Sequence, residues 1–225
     1  MILDENADPE AVIAFMADLT AKVEAQQEEA KRIGKFQDIF KMQVSEFEDL
    51  KEVADDVALK RSLWEGGKEW DGYVETWAQS LFDQIDIAEM EEKVQRFSKM
   101  TFKLERGLPR NKVVPAFKDK VDDYKNLLPV INALLNQAMK ARHWDKVQEI
   151  IGAPIDRDEN FTLQKILDMH APDYAEEIAA ISTEATQESA LEELLNKVTT
   201  KWGDVCFMCI SYKESKDTFI LGGIE

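Results

Sequence analysis

From Val12 onward, apolar residues recur in steps of four and three: Val12, Met16, Leu19, Val23, Ala30, Ile33, Phe40, Val44 and Phe47, with Gln26 and Gln37 at the two remaining seam positions. A repeat near 3.5 residues keeps one seam of a helix turned toward a partner helix. The pattern predicts one rod over 12–47, roughly 54 Å long at about 1.5 Å per residue. Phe15, Phe36 and Ile39 lie beside the seam and widen it. That width favours packing in a helical bundle over an isolated two-stranded coil.

Gly66-Gly67 predicts a break, because glycine costs about 1 kcal/mol relative to alanine inside a helix. Trp70, Tyr73, Trp77 and Leu81 follow at i, i+3, i+7 and i+11 and share one face. Aromatics at this spacing read as core first and as a partner surface second. A helix resumes near Ile85 with Met90, Val94 and Phe97, and Gly107-Leu108-Pro109 stops it. Pro115 opens the next, carrying Phe117, Val121, Tyr124 and Leu128. Pro129 lacks an N–H and disfavours helix before it, which predicts a kink or a new first turn. Val130, Ile131, Leu134, Leu135 and Ala138 continue a buried face.

Trp144, Val147 and Ile151 stack on one further helix that Gly152 and Pro154 close. Asn160 or Thr162 caps a short helix over 163–169. Residues 173–202 read as a long helix, or two with a kink, with Pro172 in its first turn. After Gly203 the pattern changes: 205–210 and 218–221 are apolar or β-rich around a polar stretch, a hairpin signal. The expected fold is mainly α: an elongated multi-helix bundle or rod with a short C-terminal β-hairpin. The expected division is a long helix over 1–62 and a second region over 63–225. Neither end coincides with a recognisable domain boundary, so both read as cuts through a longer polypeptide.

Composition agrees with this picture. The 225 residues are 44% hydrophobic and 32% charged, with nine glycines and six prolines, enough to bury a core. The net charge of −17 argues against nucleic acid, whose phosphates need clustered Lys and Arg. Lys and Arg nevertheless outnumber Asp and Glu over 103–151, and the reverse holds after 152. That basic stretch is first a solvated face and second a dock for an acidic partner. No apolar run is long enough to span a membrane, and the N-terminus lacks a signal-peptide pattern.

Candidate chemistry is sparse. There is no phosphate-binding glycine motif and only two histidines, His143 and His170. Cys206-x-x-Cys209 is one pair where a closed zinc site needs four ligands, so both thiols are expected as small buried hydrophobes. The pairs Glu91-Glu92, Glu176-Glu177 and Glu192-Glu193 read as solvated helix faces. His143 is expected to cap a helix or bond a carbonyl beside an inward-facing Trp144, with nothing in the adjoining sequence to activate it as a base.

An ordered set of residues adds to this reading: Trp70 and Trp77, Leu128-Pro129, Arg142-His143-Trp144, Leu163 to Leu167, Ile178, Ile181, Ala185, Glu188, Leu191-Glu192, Leu195, Trp202 and Ile220-Leu221-Gly222. From about Trp64 onward this set resembles the N-terminal part of the linker of dynein heavy chains, where tail joins motor. Ala138-Met139-Lys140-Ala141 is more similar to the axonemal class. The resemblance implies that Arg142, His143, Trp144, Trp202, Trp70, Trp77 and Pro129 are structural residues of a mechanical linker, and that residues 1–62 belong to the helical lower tail. It implies no catalytic, cofactor or metal residue in this segment, with ATP and magnesium held in AAA modules of a parent chain. It implies as partners the parent's own AAA ring and, near the tail, intermediate and light chains or other heavy chains, with no nucleic acid and no membrane. The implied location is the cytoplasm or cytoskeleton, favouring the axoneme of a cilium or flagellum. The competing classes are a non-motor helical scaffold or coiled-coil adaptor and a helical-bundle enzyme.

Overall fold

The computed structural model describes residues 2–155, 161–203, 205–206, 208–213 and 217–222. Helix α1 spans Pro9–Ile39 and α2 spans Glu48–Gln79. Pro9 occupies the first turn of α1, and the Asp8 carboxylate accepts the Glu10 N–H at 3.2 Å. The single rod expected over 12–47, and with it one long helix over 1–62, is corrected to a helical hairpin. The chain leaves the helix after Ile39, with Lys41 in the left-handed region at φ 53°, and Gln37, a polar position in the predicted seam, fastens the turn. Its amide donates to Ser45 Oγ at 2.8 Å and its carbonyl accepts the Ser45 N–H at 2.9 Å, pinning the chain as it turns back. Lys68 to Glu10 at 2.6 Å and Trp64 Nε1 to the Ile2 carbonyl at 2.9 Å hold the other end. The partner that the α1 seam meets is therefore α2, antiparallel to it.

Helix α2 runs unbroken through Gly66-Gly67 and across residues 62–63. Gly66 is buried, and a Cβ there would lie 2.6 Å from Met100 Cε and 3.8 Å from the Phe97 ring. The missing side chain lets the next helix approach closely, and that packing outweighs the weak helix propensity of two glycines.

Helix α3 spans Ile87–Gly107 and α4 spans Val113–Leu134. Asp86 caps α3 by accepting the Glu89 N–H at 3.1 Å, and Asn111 Oδ1 accepts from Val114 at 2.8 Å near the start of α4. The buried stripe Met90, Val94, Phe97, Thr101 and Leu104 keeps the four-three spacing throughout α3. Pro115 falls in the first turn of α4, as expected, but Pro129 lies inside it rather than starting a new helix. Proline inside a helix costs about 3 kcal/mol. Leu127, Val130, Ile131 and Leu134 around it are all buried, and each is worth about 1.5–3 kcal/mol. Their sum explains why the helix carries on.

Helix α5 spans Ala141–Ile151 and ends on Gly152, whose φ of 73° suits the left-handed cap. Helix α6 spans Leu163–Asp168 with Thr162 at its N-cap position; the alternative cap, Asn160, lies outside the described residues. Phe82 N–H to the Phe161 carbonyl at 2.8 Å ties this region to the end of α2. Pro172 sits in a short 3-10 turn, Ala171–Tyr174, rather than in the next helix. Helix α7 then runs without interruption over Ala175–Gly203. Strands β1, Met208–Ser211, and β2, Phe219–Gly222, pair antiparallel, Met208 opposite Gly222 and Ser211 opposite Phe219. Among the described residues the fold is thus seven α-helices and one two-stranded sheet, mainly α as the pattern predicts.

One continuous core joins α2 through α7. It does not extend to the second half of α7 or to the hairpin: Leu191, Leu194, Val198, Trp202, Met208, Ile210 and Phe219 are exposed. Cys206 and Cys209 are exposed as well, correcting the expectation of buried thiols. A two-stranded hairpin has no second layer on which to bury alternate side chains.

Candidate functional site: an aromatic core and a charged clasp

Two features hold the helices in register. The first is aromatic. Trp70 is fully buried, with its ring centre 5.8 Å from Trp77, 5.2 Å from Phe97 and 5.5 Å from Tyr124, all edge-on. Tyr73 stacks on Trp77 at 5.6 Å. Such pairs add about 0.5–1.5 kcal/mol beyond the area they bury. The cluster therefore locks α2, α3 and α4 together. Burial also raises the Tyr124 phenol above its ordinary pKa.

The second feature is a clasp between α5 and α7. Glu184, Glu188 and Glu192 recur every four residues and so share a face of α7. Lys146 donates to both oxygens of Glu184 at 2.8 Å. Arg142 Nε donates to Glu188 at 2.9 Å, and its Nη2 bridges Glu188 and Glu192, the latter at 3.2 Å. Lys140 pairs with Glu192. Asn136, just after α4, extends the seam by donating to Ser182 Oγ at 2.9 Å and Thr186 Oγ1 at 2.8 Å. The acidic partner for this part of the basic stretch is thus the chain's own α7.

His143 lies fully buried beneath these charges. Its Nδ1 accepts the Lys140 backbone N–H at 3.0 Å, closing the first turn of α5. Its Nε2 lies 3.1 Å from Glu188 Oε2. Those partners assign the proton to Nε2, since Nδ1 must present its lone pair. Of the two expected roles the structure shows the helix cap; the second ring nitrogen meets a carboxylate from another helix rather than a carbonyl. With both ring nitrogens bonded within the chain and the side chain fully buried, this imidazole orients α5 against α7. Hydrogen bonding from Arg142, then from His143, holds the Glu188 carboxyl below the ordinary range, against the opposing effect of burial. Lys140, then Arg142, does the same to Glu192. Trp144 is buried next to His143 and meets Phe161 edge-on at 6.3 Å.

A family description, "Dynein heavy chain, N-terminal region 2", matches residues 50–225, from the start of α2 onward. The chain belongs to the dynein heavy chain family. It is 37% identical over its full length to human "Dynein axonemal heavy chain 6". It is 29% identical, over 92% of its length, to the Chlamydomonas reinhardtii "Dynein-1-beta heavy chain, flagellar inner arm I1 complex". It is 27% identical, over 81% of its length, to rat "Dynein axonemal heavy chain 1". The chain spans only 4–5% of the length of these heavy chains.

Within this dynein heavy chain segment, the seven residues named from the sequence fall into separate places. Trp70 and Trp77 meet in the aromatic core. Arg142, His143 and Trp144 form one wedge, the arginine outward on α7 and the other two inward. Pro129 is exposed on the surface of α4, and Trp202 is 63% exposed on the last turn of α7. In the sequence, Glu192 pairs with Glu193 as a solvated face and Glu188 stands out only through the family resemblance, while Glu184 and Lys146 draw no notice. The signal was present: three acids at i, i+4 and i+8, and three cations across the first two turns of α5. No group of three or more His, Cys, Asp or Glu side chains capable of holding a metal occurs among the described residues. Among the described residues no helix is long and apolar enough to cross a membrane.

Proposed function

We propose that this segment is a load-transmitting strut: the N-terminal part of the linker of an axonemal dynein heavy chain, with α1 and the start of α2 as its junction to the tail. It carries movement between the parent's AAA ring, where ATP and magnesium are used, and the tail, in the axoneme of a cilium or flagellum. The single observation behind this reading is that one continuous buried core joins α2 to α7, reinforced by the aromatic cluster at α2–α4 and by the α5–α7 clasp. Close-packed interiors deform little, and a charged seam across two helices resists sliding that an apolar seam would tolerate. The axonemal and flagellar names of the relatives support the location. Intermediate and light chains, or other heavy chains, are the partners on the tail side.

The test uses the whole heavy chain. Arg142→Glu with Lys146→Glu sets like charges against α7. The expected result is ATP turnover close to that of the unaltered motor with several-fold slower microtubule gliding. Adding Glu184→Lys faces Lys146→Glu with an opposite charge again and should recover velocity in part, Arg142→Glu still facing Glu188. Gliding that is unaffected by the first pair, or turnover that falls in step with gliding, overturns the reading.

A further inference from the structure

Most cations of α4 and α5 are paired within the chain: Lys112 with Glu5, Lys118 with Glu105, Lys120 with Asp71, and three with α7. Lys99 and Lys125 are exposed and enter no ion pair among the described residues. These two lysines lie together on the rim of a groove of about 530 Å³ between α3 and α4. Its floor is apolar: Ile87, Val94, Leu128 and Pro129. Along α3 the groove extends from Ile87 to Lys99, about 18 Å at 1.5 Å per residue, the length of three helical turns.

Pro129 is the residue that neither the core nor the clasp uses. It has no N–H, so the Lys125 carbonyl one turn earlier lacks its usual helical donor. An acceptor, two cations and an apolar floor therefore lie side by side on the surface of a chain whose net charge is −17. An acidic segment approaching this chain meets repulsion over much of its surface, and attraction where unpaired lysines cluster. The open shape and length suit the apolar face of a helix laid into a groove between two others.

We infer that the α3–α4 groove is a docking site for an acidic amphipathic helix of another polypeptide. Apolar side chains at i, i+4 and i+7 rest on Ile87, Leu128 and Pro129, the apolar lining residues that reach the surface. Asp or Glu side chains beside them pair with Lys99 and Lys125, whose ends of the groove are free of the single acid, Glu91, on its rim. This inference stands on the groove alone and does not require the strut reading.

The probe is a fluorescein-labelled peptide of about 14 residues with Leu at i, i+4 and i+7 and Glu between them, titrated with the full chain by fluorescence anisotropy. A second peptide carries Lys for every Glu. The acidic peptide should bind, weaken in high salt, and weaken about ten-fold or more against Lys99→Glu/Lys125→Glu, equivalent to about 1.4 kcal/mol. Both substitutions are at exposed positions, and the circular dichroism of the variant should match that of the parent. Hydrogen exchange should slow along α3 and α4. Equal binding of the lysine peptide, indifference to the double substitution, or protection on the exposed Leu191–Trp202 face instead overturns the inference. So does absence of binding up to about 1 mM, or self-association of the chain that the double substitution abolishes.

Discussion

Trp70→Ala removes the centre of the aromatic core. The indole is fully buried and touches three other rings. An aromatic of this size buries roughly 150–250 Å². At about 25 cal/mol per Å² the transfer contribution is about 4–6 kcal/mol, of which alanine retains a fraction. Truncations of this kind cost about 3–5 kcal/mol once the cavity is included. The expected loss is therefore about 4 kcal/mol, out of a stability on the order of 5–15 kcal/mol. For a chain this long it corresponds to a melting temperature lower by about 8–16 °C. Urea unfolding followed by circular dichroism measures it, with Trp202→Ala as the internal comparison. Trp202 is 63% exposed, so its truncation should change stability by no more than about 0.5 kcal/mol. A Trp70 loss below about 1.5 kcal/mol, or equal losses at the two sites, would refute the placement of the core.

Three further outcomes are expected. Gly67→Ala should stabilise the chain by about 0.5–1 kcal/mol in the same unfolding assay, because a Cβ there meets nothing within 4 Å while the helix gains propensity. The clasp gives stability a defined acid limb. Glu188 and Glu192 titrate below their ordinary range in the folded chain. Their contribution is thus complete above the unfolded carboxylate pKa of about 4.3 and disappears as pH falls through the lower folded values. Glu188→Gln/Glu192→Gln should flatten the fall in melting temperature over that acid range relative to the parent, and a curve of unchanged slope would count against the clasp. Finally, both Cys206 and Cys209 are exposed, so a thiol reagent should titrate two groups without denaturant; fewer than two would contradict the exposed hairpin.

Much of the architecture was legible in local pattern. The four-three stripe of α3, the left-handed Gly152 stop of α5 and the polar gap between two β-rich runs each express a backbone preference within a few residues. The inward Trp144 and the burial of Trp70 followed from spacing as well. The ordered residues from Trp70 to Gly222 also carried the resemblance to dynein heavy chains, and the match over residues 50–225 agrees with it.

Tertiary structure alone decided the rest, because each remaining choice depended on a partner distant in the chain. Local propensity argued for a break at Gly66-Gly67; the close approach of Met100 made the absent side chain useful. Seam spacing alone could not reveal that Gln37 would bind Ser45 where α1 folds back onto α2. Equal periodicity along α7 hid an unequal outcome: Ile178, Ile181 and Ala185 are buried, whereas Leu191, Leu194 and Trp202 are exposed. Spacing defines which side chains share a face, but only the position of neighbouring helices determines whether that face meets protein or water. The same holds for charge: Glu188 is one acid among 45 acidic residues until α5 brings Arg142 and His143 to it.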